Sequence, residues 1–447
     1  MKYPIKYIEN NLVFNEEGEC WAYYELIPYN YSFLSPDEKL KVQDNFRQLV
    51  AQYREGKIHA LQLSTESSIK EVQERSKATV KGKLKEAALQ HIDGQTEVLV
   101  ELIGEHQVDY RFFIGFKLLL TDHEVNLKNI WNEFVLGIQD FVHGVNTKLM
   151  GDFVQLPTSE VSRFQKLEQL LENKLLRRFN FRPLTKDDFG YLLEHLHGND
   201  GMAYEDYSFH LPSEEVEGNK RVKRYDLIKP TRCLIEQKQR YLKITNEDKE
   251  LFVAYFTINS IVGELEFPQS ELFYYQQQQF SFPIDTSMNI EVVPNRKALT
   301  TVRNKKKELK DLDNHAWESE NETANNVVEA LDSVNELEST LDQTKESMYK
   351  LSYVIRVTAP SLDELKKRCN EVRDFYDDFN VKLVRPFGDM LGLHSEFIPS
   401  AKRFMNDYVQ YVTSDFISSL GFGATQNLGE REGIYVGFNV DLSLIHI

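Results

Sequence analysis

The stretch Lys350–Val384, KLSYVIRVTAPSLDELKKRCNEVRDFYDDFNVKLV, decides the fold class. Lys350–Thr358 is rich in β-branched and aromatic residues and predicts a strand. Ser361-Leu-Asp-Glu364 has the form of a capping box, which opens a helix over Ser361–Tyr376. Asn380–Val384 is strand-like again. Strand, helix and strand in so short a span make a β-α-β unit and point to an α+β fold.

Working back from that unit, Pro294–Tyr349 has a different character. Arg303-Asn304-Lys305-Lys306-Lys307 is basic, and Glu318–Asp342 is strongly acidic. Val327, Ala330, Val334, Leu337, Leu341 and Thr344 fit the a and d positions of a short heptad pattern. A long charged helical hairpin is expected, bent at Ser319–Thr323. Further back, helices are predicted at Ser159–Leu176 and Thr185–Leu196, with a short strand at Arg178–Pro183. Asn199–Gly218 reads as a loop. Strands are expected at Arg224–Ile228, Thr231–Lys243 and Glu250–Ile258, the last two joined by a turn at Asn246–Asp248.

The start of the chain reads as a β-hairpin, Leu12–Phe14 with Trp21–Ile27. Ser35-Pro36 then opens a helix to Gln52. Lys57–Leu63 and Val108–Leu120 are strands, polar helices broken near Asp93-Gly94 fill Ser67–Glu105, and Leu127–Leu149 is an amphipathic helix. Beyond Gly388 the chain turns rich in glycine and aromatics, with short strands at Gln410–Ser414, Phe422–Thr425 and Gly433–Asn439. No internal repeat stands out. The expected organisation is therefore two mixed α/β subdomains with a charged helical insertion. The units are 1–150, 151–293, the hairpin at 294–349, a completing β-α-β unit at 350–395, and 396–441.

Composition excludes several classes. The chain has 447 residues, 41% hydrophobic and 12% aromatic, which rules out global disorder. Its 53 Lys+Arg against 70 Asp+Glu give a net charge of −17, a field that does not steer it to nucleic acid or anionic lipid. The three cysteines, Cys20, Cys233 and Cys369, form no disulfide framework or metal-ligand pair. A reducing compartment is the simplest reading. The N-terminus carries no signal-peptide core. The most apolar window, Phe112–Leu120, is far short of the ~20 residues that cross a bilayer.

Catalytic motifs are few. The phosphate loop G-x-x-x-x-G-K-[ST] is absent, because Gly56-Lys57 and Gly82-Lys83 lack the preceding glycine. Gly421–Gly429 is glycine-rich without a lysine and reads as a turn rather than a nucleotide cradle. His195 and His197, near Glu205 and Asp206, could ligate a metal; the simpler reading is a helix C-terminus that favours histidine. HExxH and G-x-S-x-G are absent. Cys369 sits in a charged helical pattern and reads as a packing residue. Lys305–Lys307 and the acidic run read as solvated helix faces. From the residues alone, no catalytic, cofactor-binding or metal-ligating site is assigned.

Several strings carry a resemblance. They are MKYPIKYIENNLVF (1–14), AYYELIPYNYSFLSP (22–36), REGKIHALQL (54–63), VDYRFFIGFKL (108–118), LIKPTRCLIE (227–236), NRKALTTVRNKKKELKDLDNHA (295–316), LVRPFGDMLGLHSEFIPS (383–400) and DYVQYVTSDFISSLGFGATQ (407–426). In this order they resemble the motor ATPases of conjugation and type IV secretion systems, of the TraC/TrbE kind carried by conjugative transposons of Gram-positive bacteria. The resemblance spans residues 1–441. It implies an N-terminal α+β region that docks onto inner-membrane subunits of the channel. It also implies a RecA-like domain that binds ATP and Mg²⁺ and assembles as a hexamer, at the cytoplasmic face of the membrane.

On that resemblance, 396–441 would hold the first strands of a truncated RecA-like domain, with Walker A expected beyond Asp441. Leu442–Ile447 breaks the resemblance and reads as a translated sequencing adapter, expected to add nothing to the fold. The alternative is a non-catalytic scaffold of the same apparatus. Because phosphate recognition in this motor class needs the loop amides and lysine together, the 447-residue chain is expected not to bind ATP. Titration with a fluorescent ATP analogue checks this, and micromolar Mg²⁺-dependent binding would contradict it.

Overall fold

A computed structural model describes residues 4–15, 17–68, 73–74, 77–78, 80–103, 106–119, 153–197, 214–217, 220–224, 233–246, 249–261, 267–318, 325–403, 407–425, 428–429, 435–438 and 444–446. The first part of the chain forms β1 (Ile5–Glu9), β2 (Leu12–Asn15), β3 (Cys20–Leu26), β4 (Tyr29–Asn30), α1 (Pro36–Gln52), β5 (Gly56–Ser68), α2 (Lys85–Ile103) and β6 (His106–Leu118). Next come β7 (Phe153–Pro157), α3 (Thr158–Leu175), β8 (Phe181–Pro183), α4 (Lys186–Leu196), β9 (Glu214–Glu217) and β10 (Lys220–Arg224). The second part forms β11 (Leu234–Gln237), β12 (Leu242–Thr245), β13 (Glu250–Ile261), α5 (Leu272–Gln279), β14 (Ile284–Val293), α6 (Asn295–Glu318), α7 (Asn325–Thr344), β15 (Met348–Ala359), α8 (Leu362–Asp378), β16 (Val381–Val384) and α9 (Met390–Ser395). The last elements are β17 (Gln410–Val412), α10 (Ser414–Ser419), β18 (Ala424–Thr425), β19 (Leu428–Gly429), β20 (Tyr435–Phe438) and β21 (Leu444–His446).

Among the described residues thirteen strands join one sheet, in the order β1-β2-β3-β6-β5-β14-β15-β13-β12-β11, with β8 on β3, β16 on β13 and β17 on β15. The fold is mixed α/β, as expected, and this large sheet is antiparallel. It consists of two half-sheets that meet where β5 pairs with β14, from Gly56↔Val292 to Gln62↔Thr286. The halves share one plan. β3 pairs with β2, β6 and β8, and β13 pairs with β12, β15 and β16. Each half also ends in a strand followed by a short helix, α4 or α9. This internal pseudo-two-fold has no trace in the sequence as a repeat.

Helices cover both faces, so the central strands are apolar on both sides. In β3, Ala22, Tyr24 and Leu26 face one core with Phe112, Phe116, Met288 and Tyr353. Trp21 and Tyr23 face the other with Leu61, Phe113, Tyr255 and the residues of α4 and α9. That two-sided burial is why the expected strands at Val108–Leu120 and Lys350–Thr358 are found close to their predicted limits; the strand expected at Lys57–Leu63 runs on to Ser68, into the stretch expected to be helical, because its ladder with β6 continues to His106.

Several expectations change. Thr231–Lys243 is not one strand: Lys238 N–H donates to Tyr241 O at 2.9 Å, and the turn separates β11 from β12. β8 pairs with β3, so the segment assigned to the second unit from residue 151 adds to the first half-sheet. Ser361 accepts from Glu364 N at 3.2 Å, but the Glu364 carboxylate pairs with Arg368 at 3.2 Å instead of closing the capping box. Leu127–Leu149, the bend Ser319–Thr323, and most of the loop at Asn199–Gly218 lie outside the described residues. Leu444–His446, in the segment expected to add nothing to the fold, forms a strand of a small sheet separate from the large one. It is the middle strand between β19 and β20, because a short apolar run pairs readily with open strand edges.

Gly115 sits in β6 against Tyr23, and a Cβ there would overlap the Tyr23 ring. That ring is fully buried, and its hydroxyl bonds His59 Nδ1 at 2.9 Å and receives Ser400 N–H at 2.7 Å. Gly115→Ala is expected to destabilise the chain by about 1–3 kcal/mol, the cost of overpacking a filled core. Urea unfolding measures it, and an unchanged midpoint would show that the ring is free to move aside.

Candidate docking site: the charged arm and the strap at its base

α6 and α7 form an antiparallel arm between β14 and β15. The seam is narrow: Ala298, Val302 and Leu341 are buried with Val293 and Met348, flanked by Leu299, Val334 and Leu337. Of the heptad positions, Val334, Leu337 and Leu341 lie in the seam. Val327 and Ala330 are half-buried, and Thr344 is exposed, its hydroxyl donating to Thr340 O at 2.9 Å. Across the seam Glu338 receives Arg303 at 2.9 Å and Lys306 at 2.7 Å. These hydrogen bonds hold the Glu338 carboxyl below its ordinary value. Lys305 pairs with Glu308 at 3.0 Å, and Lys307 is exposed. The basic run is thus partly a seam clamp and partly a solvated face.

The base of the arm is fixed by polar contacts. Asn295 Nδ2 donates to Leu341 O and to Glu346 O, both at 2.8 Å. Lys345 takes the left-handed conformation, φ 56°, that closes the C-terminus of α7. Glu346 then meets two other elements. Arg47 of α1 donates to it at 2.9 Å, and Ser414 Oγ of α10 donates at 2.6 Å. Arg47 also lies 3.5 Å from Asp415. Burial pushes the Asp415 carboxyl up, against the opposing pull of Arg47.

Residues 407–425 form a strap from this junction across the sheet. β17 pairs with Tyr349–Leu351 at the start of β15, just after the arm. Phe422 packs against Phe46, Phe112 and Phe273. β18 runs parallel to β4. Gly421 (φ 75°) and Gly423 (φ 87°) allow this approach: a Cβ on Gly421 would lie 2.8 Å from Glu271 Cβ. Glu271 is buried, accepts from Tyr31 and from Gln269 N–H, and burial raises its carboxyl. Gly421 and Gly423 therefore serve close packing against protein.

The remaining candidates are structural. His195 Nε2 lies 3.0 Å from Asp285 Oδ2, whereas His197 Nδ1 bonds Leu193 O and its ring meets His394 edge-on at 5.6 Å. The two histidines point into different networks, and Glu205 and Asp206 lie outside the described residues. Among the described residues no group of three or more His, Cys, Asp or Glu could hold a metal. Cys369 is buried against the sheet and burial raises its thiol.

The sequence did not point to two buried charge clusters. Asp285 accepts from Ser64 N–H and Oγ at 2.7 Å and from Arg356. Arg111 donates to Glu25 at 2.8 Å and to Asp188 at 2.9 Å. No sequence spacing links these residues, which lie on different strands and on α4. At 0–3% exposure, His195, Asp285 and Arg356 are closed to any substrate. The arm, by contrast, presents its charges to solvent.

The chain matches no protein-family model. It is 21% identical, over 449 aligned positions, to a Bacillus subtilis (strain 168) protein described as "Uncharacterized protein YddE". The alignment covers 98% of this chain and 51% of that protein, so the chain spans about half the length of the curated relative it matches.

Arg47 is the group that neutralises Glu346 and Asp415 together. Arg47→Met is expected to speed amide hydrogen exchange across 414–425 about five-fold, the equivalent of the ~1 kcal/mol of a partly exposed ion pair. Exchange in β14 should not change. An unaltered strap would mean that Phe422 alone holds it.

Proposed function

We propose that this chain is the docking portion of a conjugative-transfer motor ATPase of a type IV secretion system. In this reading the α/β body and its arm seat the motor on inner-membrane subunits of the channel. Residues 396–441 lead into a RecA-like domain in the intact protein, which would bind ATP and Mg²⁺, assemble as a hexamer and power DNA or protein transfer. The ordered strings quoted above support it. A relative about twice as long leaves room for a further domain.

The observation that carries the docking part is the arm. It is a charged hairpin with a thin apolar seam, anchored at its base to the strap that leads onward. No helix among the described residues is long and apolar enough to cross a membrane. The reading therefore places the protein at the inner face of the membrane by contact with membrane subunits.

The test uses the full-length gene in a transfer-competent strain. Residues 297–340 are replaced by a short flexible linker, which keeps Asn295 and Glu346. Transfer is expected to fall by orders of magnitude while the ATPase activity of the purified full-length protein is retained. Undiminished transfer would overturn the docking role of the arm, and a full-length protein without ATPase activity would overturn the motor reading.

A further inference from the structure

The outer faces of the two arm helices carry opposite charge at the same height. On α6, Arg296, Lys307 and Lys310 are exposed, and none has an ion partner among the described residues. At 100° per residue these three fall within an arc of about 60°, a stripe about 21 Å long on the solvent side of α6. Arg303 remains 58% exposed beside Glu338. On α7, Asp332 and Glu336 are exposed one turn apart, likewise without an ion partner among the described residues, and also face away from the seam.

The register of the hairpin sets their relative height. Arg303 and Lys306 both reach Glu338. In an antiparallel pair this places Lys307 and Lys310 level with the Asp332–Glu336 turn, on the opposite side of the arm. Rotating a copy about an axis parallel to the arm preserves height. The cation stripe of one copy then meets the carboxylates of the next, and the contact is head to tail rather than self-complementary.

We propose that the arm is a self-association surface, with Lys307 and Lys310 on α6 of one copy docking on Asp332 and Glu336 on α7 of a second copy. The proposal rests on the hexamer of that reading and gives the arm a further partner beside the channel, another copy of this chain. Overall charge favours the choice. Two copies at −17 repel, so approach requires a local cationic surface facing a local anionic one, and the arm supplies both. Exposed pairs contribute little singly. The contact is therefore reversible, salt-sensitive and dependent on several arms acting together.

Sedimentation velocity of the purified 447-residue chain over a concentration series, at low and high salt, is the test. The variants are K307E with K310E, D332K with E336K, and the combination of all four. Association is expected at low salt. Either double reversal should weaken it about tenfold or more, because attractive contacts become repulsive, and the fourfold variant should restore it. As a second measurement, Lys307→Cys and Glu336→Cys chains are mixed under mild oxidation. With the half-buried Cys233 removed by Cys233→Ser in both chains, a disulfide-linked pair containing one of each is expected, since Cys20 and Cys369 are buried.

A chain monomeric at every concentration with no such cross-link would overturn the proposal. So would association indifferent to both reversals. The fourfold variant separates this contact from channel docking: it keeps the self-contact but presents inverted charges to any other partner. Loss of transfer with self-association restored would leave this inference standing and identify a second partner for the arm.

Discussion

One buried carboxylate ties the architecture together. Asp285 lies on β14, accepts from the backbone and side chain of Ser64 on β5, and meets Arg356 on β15 and His195 on α4. It therefore joins the two half-sheets across their only described strand junction and pins a helix over that junction. Burial alone would raise its carboxyl, but His195 and Arg356 outweigh that cost and hold it well below the usual carboxylate range. Buried charges persist only when paired and hydrogen-bonded in this way. The second cluster, Arg111 with Glu25 and Asp188, repeats the device at the other end of α4, where Asp188 also forms the capping box with Thr185.

The pseudo-two-fold explains where the arm is placed. In each half, the segment between the strand at the junction and its neighbour is free to grow outward, since it leaves from the end of the sheet. In the first half that position holds α2, between β5 and β6; in the second it holds the arm, between β14 and β15. β5 and β14 are antiparallel, so the two insertions leave opposite ends of the sheet. An insertion there lengthens a loop, which costs little, and leaves the ladder of the core untouched.

Much of this fold was legible where the signal was local. The arm helices, Ser35-Pro36 at the head of α1 and the long strands follow from periodicity and capping within a few residues. α5 and α10 were missed because eight and six residues are too few for a helical period to declare itself. The β5–β14 junction, the Asp285 cluster and the return of the strap to β4 were illegible for a different reason. Each joins residues distant in sequence, and side-chain type alone does not say which buried Asp meets which Arg. The histidines show the point: His195 and His197 look paired in the sequence, yet the helix turn sends them to Asp285 and to Leu193.

The strap and the arm are held by different physics, and this decides what can move. Phe422 is locked among aromatic rings in the main core, and displacing it would open a cavity there. The arm meets the strap through Arg47, Glu346, Ser414 and Asp415, where half-exposed ionic contacts exchange readily with water. A load on the arm therefore acts first at Glu346, which Asn295 binds through its backbone and Arg47 and Ser414 through its side chain. α10 itself is held in the core by Ile417 and Leu420, so the ionic junction links the arm to a strap that the sheet already fixes. The junction is therefore the exchangeable part of the contact between arm and body, while burial holds the rest of the strap.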